Sequence, residues 1–198
     1  MPTIVTDINE LDLSGTYTYA DYLLWEFEER LELIKGKIFK MSPAPGTLHQ
    51  RLSTKLVGNL FKYFENNPCE LFSAPFDVRL YDTKKSAVAD RDLYTVVQPD
   101  ICVVCDGSKV DERGCLGAPD LVIEILSPGN SQKEIYNKFL LYQECGVREY
   151  WLVEPNQKAV LLYALDETGR YVGVQPAVKV LQSIIFPELK IDLEKIFN

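Results

Sequence analysis

The chain has 198 residues, 46% hydrophobic and 25% charged, with a formal net charge of −8; that is long enough for one well-cored domain and too acidic for a protein that coats nucleic acid indiscriminately. No apolar run approaches the roughly 20 residues that span a bilayer, and Met1–Asp7 lacks the basic and apolar regions of a secretory signal, so a cytoplasmic protein with no membrane partner is expected. Five cysteines, an odd number set mostly in apolar stretches, predict buried thiols rather than a disulfide framework, and the Cys102/Cys105 spacing lacks the second pair that a zinc set needs.

Residues 1–15 are polar and irregular and read as a loose arm, with one domain over 16–198. Tyr17–Glu29 has helical spacing of apolar residues, and Arg30–Met41 alternates around Lys35-Gly36 as a β-hairpin does, broken by Ser42-Pro43-Ala44-Pro45-Gly46. From Thr47 to Asn66, Leu48, Leu52, Leu56, Leu60 and Phe64 recur at helical steps. Strands are predicted at Leu71–Leu80, Val96–Val104 and Asp120–Leu126. A second helix spans about Ser131 to Cys145 and stops at Gly146, the residue type that caps helices in the left-handed conformation. Arg148–Glu154 is a further strand, and Ala159–Leu165 with Gly169–Val174 forms a hairpin. The order is α-β-β-β-α-β with edge hairpins, an α/β fold with a mixed central sheet flanked by helices.

Charge is uneven along this order. Residues 1–29 carry seven acids and no Lys or Arg, whereas residues 30–91 carry eleven Lys or Arg against six acids. The basic middle third is either a set of solvated surface cations or a phosphate-facing patch.

The acids in the apolar strands carry the chemical argument. A near-continuous apolar strand is buried on both faces, and a buried carboxylate is costly unless paired, hydrogen-bonded or holding a metal. Asp100 follows Gln98-Pro99, Asp120 follows Pro119, and Glu124 lies inside the third strand. Asp120 and Glu124 share a face but sit about 13 Å apart along one strand, too far to clamp one ion. Asp100 and Glu124 lie on different strands, and neighbouring strands are only about 4.8 Å apart, so this pair can share a cation. Oxygen ligands of this kind suit Mg²⁺ or Mn²⁺. His49, at the start of the long helix, is placed for a phosphate contact, proton shuttling or a structural role; Asp77, beside Arg79, is a ligand or an ion-pair partner.

Seven motifs extend the argument: Leu31-Glu32-Leu33-Ile34-Lys35-Gly36, Met41-Ser42-Pro43-Ala44-Pro45, His49-Gln50-Arg51, Asp77-Val78-Arg79-Leu80, Gln98-Pro99-Asp100-Ile101, the run Gly117 to Pro128, and Gly146 to Val153. Together they resemble a large bacterial family of restriction-endonuclease-like proteins with the PD-(D/E)XK nuclease fold, over roughly Leu31 to Tyr163. The resemblance implies a restriction-endonuclease-like core, a DNA substrate, and a metal-dependent endonuclease in which Asp100, Glu124 and the Ile125 carbonyl hold the metal. The superfamily's lysine, two residues past the Glu, is absent, because position 126 is Leu. The resemblance offers Lys138 on the following helix instead, against a plain Glu134–Lys138 surface pair. It also offers Glu32 as a further carboxylate, against an exposed strand glutamate. Two other readings stay open: an inactive nuclease-fold domain that binds nucleic acid or a protein partner, and a scaffold whose acids only serve turns and sheet edges. Tyr150, Trp151 and Tyr163 either pair two subunits in a homodimer or fill the core beside the second helix.

Overall fold

A computed structural model of the chain describes residues 3–41, 46–81 and 89–198. The Ser42–Pro45 break, and Lys84 and Lys85 of the basic third, lie outside the described residues. In chain order the elements are α1 (Tyr19–Tyr22), β1 (Leu31–Ile34), β2 (Lys37–Lys40), α2 (Thr47–Phe64), β3 (Glu70–Ser73), β4 (Val78–Leu80), β5 (Thr95–Val97) and β6 (Ile101–Val104). There follow β7 (Val110–Asp111), β8 (Gly114–Leu116), β9 (Leu121–Ile125), α3 (Gln132–Cys145), β10 (Glu149–Glu154), β11 (Ala159–Leu165), β12 (Tyr171–Gly173), β13 (Val180–Gln182), β14 (Lys190–Asp192) and α4 (Leu193–Phe197).

Two predicted strands are each two strands. Pro75 interrupts the first and Pro99 the second, and proline has no N–H to give a ladder. At each break the chain changes sheets. One six-stranded sheet runs β2-β1-β5-β4-β8-β7, the other β12-β11-β10-β9-β6-β3, and β13-β14 form a third. In the second, β9 and β10 are parallel and β6 is antiparallel to β9.

Alternation along β6, β9 and β10 divides the core. Ile101, Val103, Leu121, Ile123, Ile125, Trp151 and Val153 face Leu52, Leu56, Leu60 and Phe64 of α2. Cys102, Val104, Val122, Tyr150 and Leu152 face Leu141 and Tyr142 of α3, together with Ile34, Val78 and Val97 of the other sheet. The even-numbered face of β9 is therefore sandwiched, and Glu124 belongs to it. Leu48 and Phe61, on the outer side of α2, stay exposed.

Local chemistry sets the boundaries. The β1–β2 hairpin turns at Lys35 and Gly36, both at positive φ, with Ile34 opposite Lys37. Ser131 and Glu134 form a reciprocal capping box on α3, and Gly146 ends it at φ 85°.

Several expectations need correction. The helix predicted over Tyr17–Glu29 is only one turn, started by a Thr18–Asp21 capping box. Beyond it the chain is extended and pairs Trp25 with Val5, the Glu26 N–H donating to the Val5 carbonyl. The supposedly loose arm is pinned as well, with Ile8 and Leu11 buried against Trp25 and Phe27. Cys69 and Cys105 form a disulfide between the ends of β3 and β6, so not every cysteine is a thiol; Cys102, Cys115 and Cys145 are. Of the aromatics expected to pair two subunits or fill the core, Tyr150 and Trp151 are buried within the chain, and Tyr163, half-buried, packs on Phe139 of α3. No helix among the described residues is long and apolar enough to cross a membrane.

Candidate functional site

A cleft of about 770 Å³ opens between the hairpin, the first turns of α2, the start of α3 and the loop after β9. Three features of the chain bring its charged side chains together. Continuing the β6–β9 register, Ile101 opposite Ile123, by one step sets Asp100 opposite Glu124. Glu32 comes from β1 of the other sheet, and Lys138 comes from α3, which returns over the even face of β9.

The contacts are specific. Lys138 Nζ donates to Glu124 Oε1 at 2.9 Å and to Glu32 Oε1 at 3.0 Å. Tyr142, one turn further along α3, donates its hydroxyl to the same Glu124 oxygen at 2.6 Å. Glu32 Oε1 also accepts from the Gln98 N–H at 2.9 Å. Asp100 Oδ2 accepts from the Ile125 N–H at 2.7 Å and lies 3.1 Å from His49 Nε2. His49 Nδ1 is buried and makes no hydrogen bond among the described residues. Asp77 is one residue removed: it accepts from Gln98 Nε2 at 2.8 Å, while Gln98 Oε1 accepts from Arg30 Nε and Nη2 at 3.1 and 2.5 Å. Gly114, at φ 115°, closes on Asp77 from behind, where any Cβ would collide with the Asp77 carbonyl.

Two carboxylates thus flank one ammonium, with Asp100 bonded to His49 and the Ile125 N–H beside them, and acids outnumber the lysine in the cluster. Burial pushes Glu124 up to about 7, with the Asp100 and Glu32 charges adding and Lys138 opposing. Burial alone would lower Lys138, but Glu124 and Glu32 outweigh it and hold the ammonium above its ordinary value. The hydrogen bond with Asp100 raises His49, burial opposing.

One oxygen of each carboxylate is left over. Asp100 Oδ1, Glu124 Oε2 and Glu32 Oε2 accept nothing among the described residues, yet none is a sealed, unsatisfied atom, so they face the cleft. No group of three or more His, Cys, Asp or Glu among the described residues is arranged to hold a metal ion. Mg²⁺ does not require such a group, since it keeps several waters and binds through one or two carboxylates. The Ile125 carbonyl adds a third donor, because a strand residue's N–H and C=O point to the same edge and this N–H points at Asp100. The oxygen-rich set fits a hard divalent cation.

The structure therefore gathers Asp100, Glu124, Lys138, Glu32 and His49 around one cleft and keeps Asp77 behind it. Asp120 is elsewhere, bonded to Arg148 and the Cys105 N–H. Glu134 serves its capping box and does not pair with Lys138. Leu126, where the superfamily lysine would stand, packs with Ile135 and Phe139 in the α3-side core. Of the basic third, Arg30 and Lys40 reach the cleft, while Arg79 is buried against Asp111 and Lys35 pairs with Glu144. Sequence reasoning missed Tyr142 and Gln98. Tyr142 carries a usable signal, because it lies four residues past Lys138 and so on the same helix face.

The family Uma2, described as putative restriction endonuclease, matches residues 19–194. An uncharacterized protein of Synechocystis sp., slr1290, is 25% identical over 155 residues, 77% of this chain and 76% of its own length. Among solved structures, a putative nuclease belonging to DUF820 from Anabaena variabilis aligns with a TM-score of 0.69 at 22% identity, over 91% of this chain and 97% of that one. At that identity the likeness shows the fold.

Proposed function

The chain belongs to the Uma2 family of putative restriction endonucleases, and from that premise we propose that it is a metal-dependent endonuclease hydrolysing DNA phosphodiester bonds in the cleft around Asp100 and Glu124. The observation that carries this is Lys138. Its ammonium bridges Glu124 and Glu32, so two of its three N–H groups are spent and the third remains for a reacting group.

Asp100, Glu124 and the Ile125 carbonyl would hold Mg²⁺ or Mn²⁺, which supplies Lewis acidity toward water and phosphoryl oxygens. The remaining roles belong to the chain. Lys138 orients the attacking water with its third N–H and offsets the charge growing on the phosphorus-bound oxygens. Glu32 Oε2, which accepts nothing among the described residues, takes the water's proton as the new P–O bond forms, and the bridging P–O bond breaks with its oxygen leaving as a hydroxyl protonated from solvent. Tyr142 fixes Glu124, and the Gln98 N–H fixes Glu32, so Lys138 is held between rigid anchors rather than on a mobile loop. His49 steadies Asp100 from α2. A homodimer forms no part of the proposal.

The test is calorimetric titration with Mg²⁺ and Mn²⁺, with plasmid nicking alongside, on the wild type, the Asp100→Ala/Glu124→Ala double variant and Lys138→Ala. Metal binding by the wild type and Lys138→Ala but not the double variant, with nicking by the wild type alone, supports the proposal. A folded wild type that binds no metal and nicks nothing overturns it. What would remain is a nuclease-fold domain that binds nucleic acid or a protein partner without cleaving.

A further inference from the structure

The cleft walls differ from a duplex-gripping surface. The reacting side chains are recessed, with 6% of the Glu32 side chain exposed, 13% of Glu124, 18% of Lys138 and 22% of Asp100. Of the cations lining the cleft, Lys138 is paired with carboxylates, leaving Arg30 and Lys40 with no carboxylate partner among the described residues. Two such charges match about two phosphates of one strand, far fewer than the 6–10 contacts of a typical duplex binder.

The rest of the wall mixes apolar side chains with uncharged polar ones. On the hairpin, Glu32 is directly opposite Phe39, and Arg30 is followed two and four residues later by Glu32 and Ile34, so these side chains share the cleft face. Phe39 is half-buried and has no ring partner among the described residues, although fourteen other aromatic pairs knit the chain. Opposite it, α2 presents Gln50, Ser53 and Thr54, one turn apart on the cleft-facing side, with side chains that make no hydrogen bond among the described residues. Arg30 is held by Gln98 through Nε and Nη2, which leaves its Nη1 group unspent. Its charge is aimed, and a neutral amide does the aiming.

A ring on the cleft wall that packs on the α3-side core and has no aromatic partner among the described residues, unspent amide and hydroxyl groups on α2, and an oriented guanidinium at the rim are the parts that receive an unstacked base and its phosphate. We infer that the cleft takes an unpaired nucleotide of a DNA strand, its base against Phe39 and a flanking phosphate on Arg30, so that single-stranded or frayed DNA is the substrate class. This rests on the endonuclease reading above for its reaction, and on the hairpin and α2 walls for its specificity.

Binding is measured without cleavage, by fluorescence anisotropy in EDTA, using the full chain with a labelled 12-nucleotide oligothymidylate and a 12-base-pair duplex. The single strand is expected to bind at least 10-fold tighter. Phe39→Ala is expected to weaken single-strand binding by about 5- to 100-fold, the range for losing one base–aromatic stack, and to leave duplex binding alone. Phe39→Trp restores it, which a merely structural role would not do, and thermal melting of each variant confirms that it is folded. Single-strand affinity should fall with salt at a log–log slope of about −1.4, as two phosphate contacts require, and Arg30→Gln should halve that slope. Equal or tighter duplex binding, or a folded Phe39→Ala that binds like the wild type, overturns the inference. The two readings fail separately: Asp100-dependent nicking with duplex preferred sinks this one alone, and Phe39-dependent strand binding without any cleavage sinks the endonuclease alone.

Discussion

Strands β9 and β10 carry acids at both ends, and the two ends use them in opposite ways. At the start of the pair, Asp120 and Glu149 are buried and fully spent. Asp120 accepts from Arg148 and the Cys105 N–H; Glu149 accepts from the Trp151 indole, Ser183 Oγ and the Ile184 and Ile185 N–H groups. At the far end, Glu124 and its neighbours Asp100 and Glu32 each keep one oxygen that accepts nothing among the described residues, and those oxygens open on a cleft. Burial of a carboxylate therefore does not mark a site; unspent valence does. The open end follows the carboxyl ends of the parallel strands, where the connecting segments diverge and leave room for a ligand.

Exchanging the roles of the two ends is the way to break this comparison. The largest effect is expected from Glu149→Ala, which strands four donors around a buried hole and should cost about 3–5 kcal/mol, read by urea unfolding. Its mirror is Asp100→Asn, which removes a like charge from a crowded acidic cluster. Stability should change by no more than about 1 kcal/mol, in either direction, while the calorimetric heat of Mg²⁺ binding disappears. A large loss of stability in Asp100→Asn with metal binding intact would place Asp100 with the structural acids.

Lys138→Met sharpens the contrast at the open end. Nicking should fall about 10²- to 10³-fold, as for loss of one charge-stabilising donor, while the metal still binds. Adding Leu126→Lys to that variant puts a lysine back on the Glu124 face of β9 and should return part of the rate, at some cost in melting temperature because Leu126 packs against Ile135 and Phe139. No recovery, with the double variant folded, would mean that the ammonium must approach from α3. The smallest effect belongs to Arg148→Ala at the spent end: more than half of the Arg148 side chain is exposed, so its pair with Asp120 is worth about 1 kcal/mol at most, with nicking unchanged.

Much of the fold is legible from local chemistry. The Lys35-Gly36 turn, the Leu52/Leu56/Leu60/Phe64 stripe, the Ser131–Glu134 box and the Gly146 stop are each decided within a few residues, by allowed φ, by periodicity or by a neighbour's side chain. The breaks at Pro75 and Pro99 were equally local, yet their consequence was not, since a missing N–H says where a strand ends but not which sheet takes the next one. The one-turn α1 shows the converse: Tyr17–Glu29 has the period of a helix, but Val5, twenty residues before Trp25, claims the chain as a strand partner.

By itself, the sequence determined the two long helices and the β1–β2 hairpin, and it offered Asp100 and Glu124 as candidate metal acids, with Lys138 added by the family resemblance. Tertiary structure alone decided which acids remain unspent, because that depends on donors brought from afar: Glu32 and Lys138 meet across 106 residues, Gln98 and Glu32 across 66, His49 and Asp100 across 51. A carboxylate's hydrogen-bond valence is counted in space rather than along the chain, so Glu149 and Glu124 look alike as letters and differ once the partners arrive.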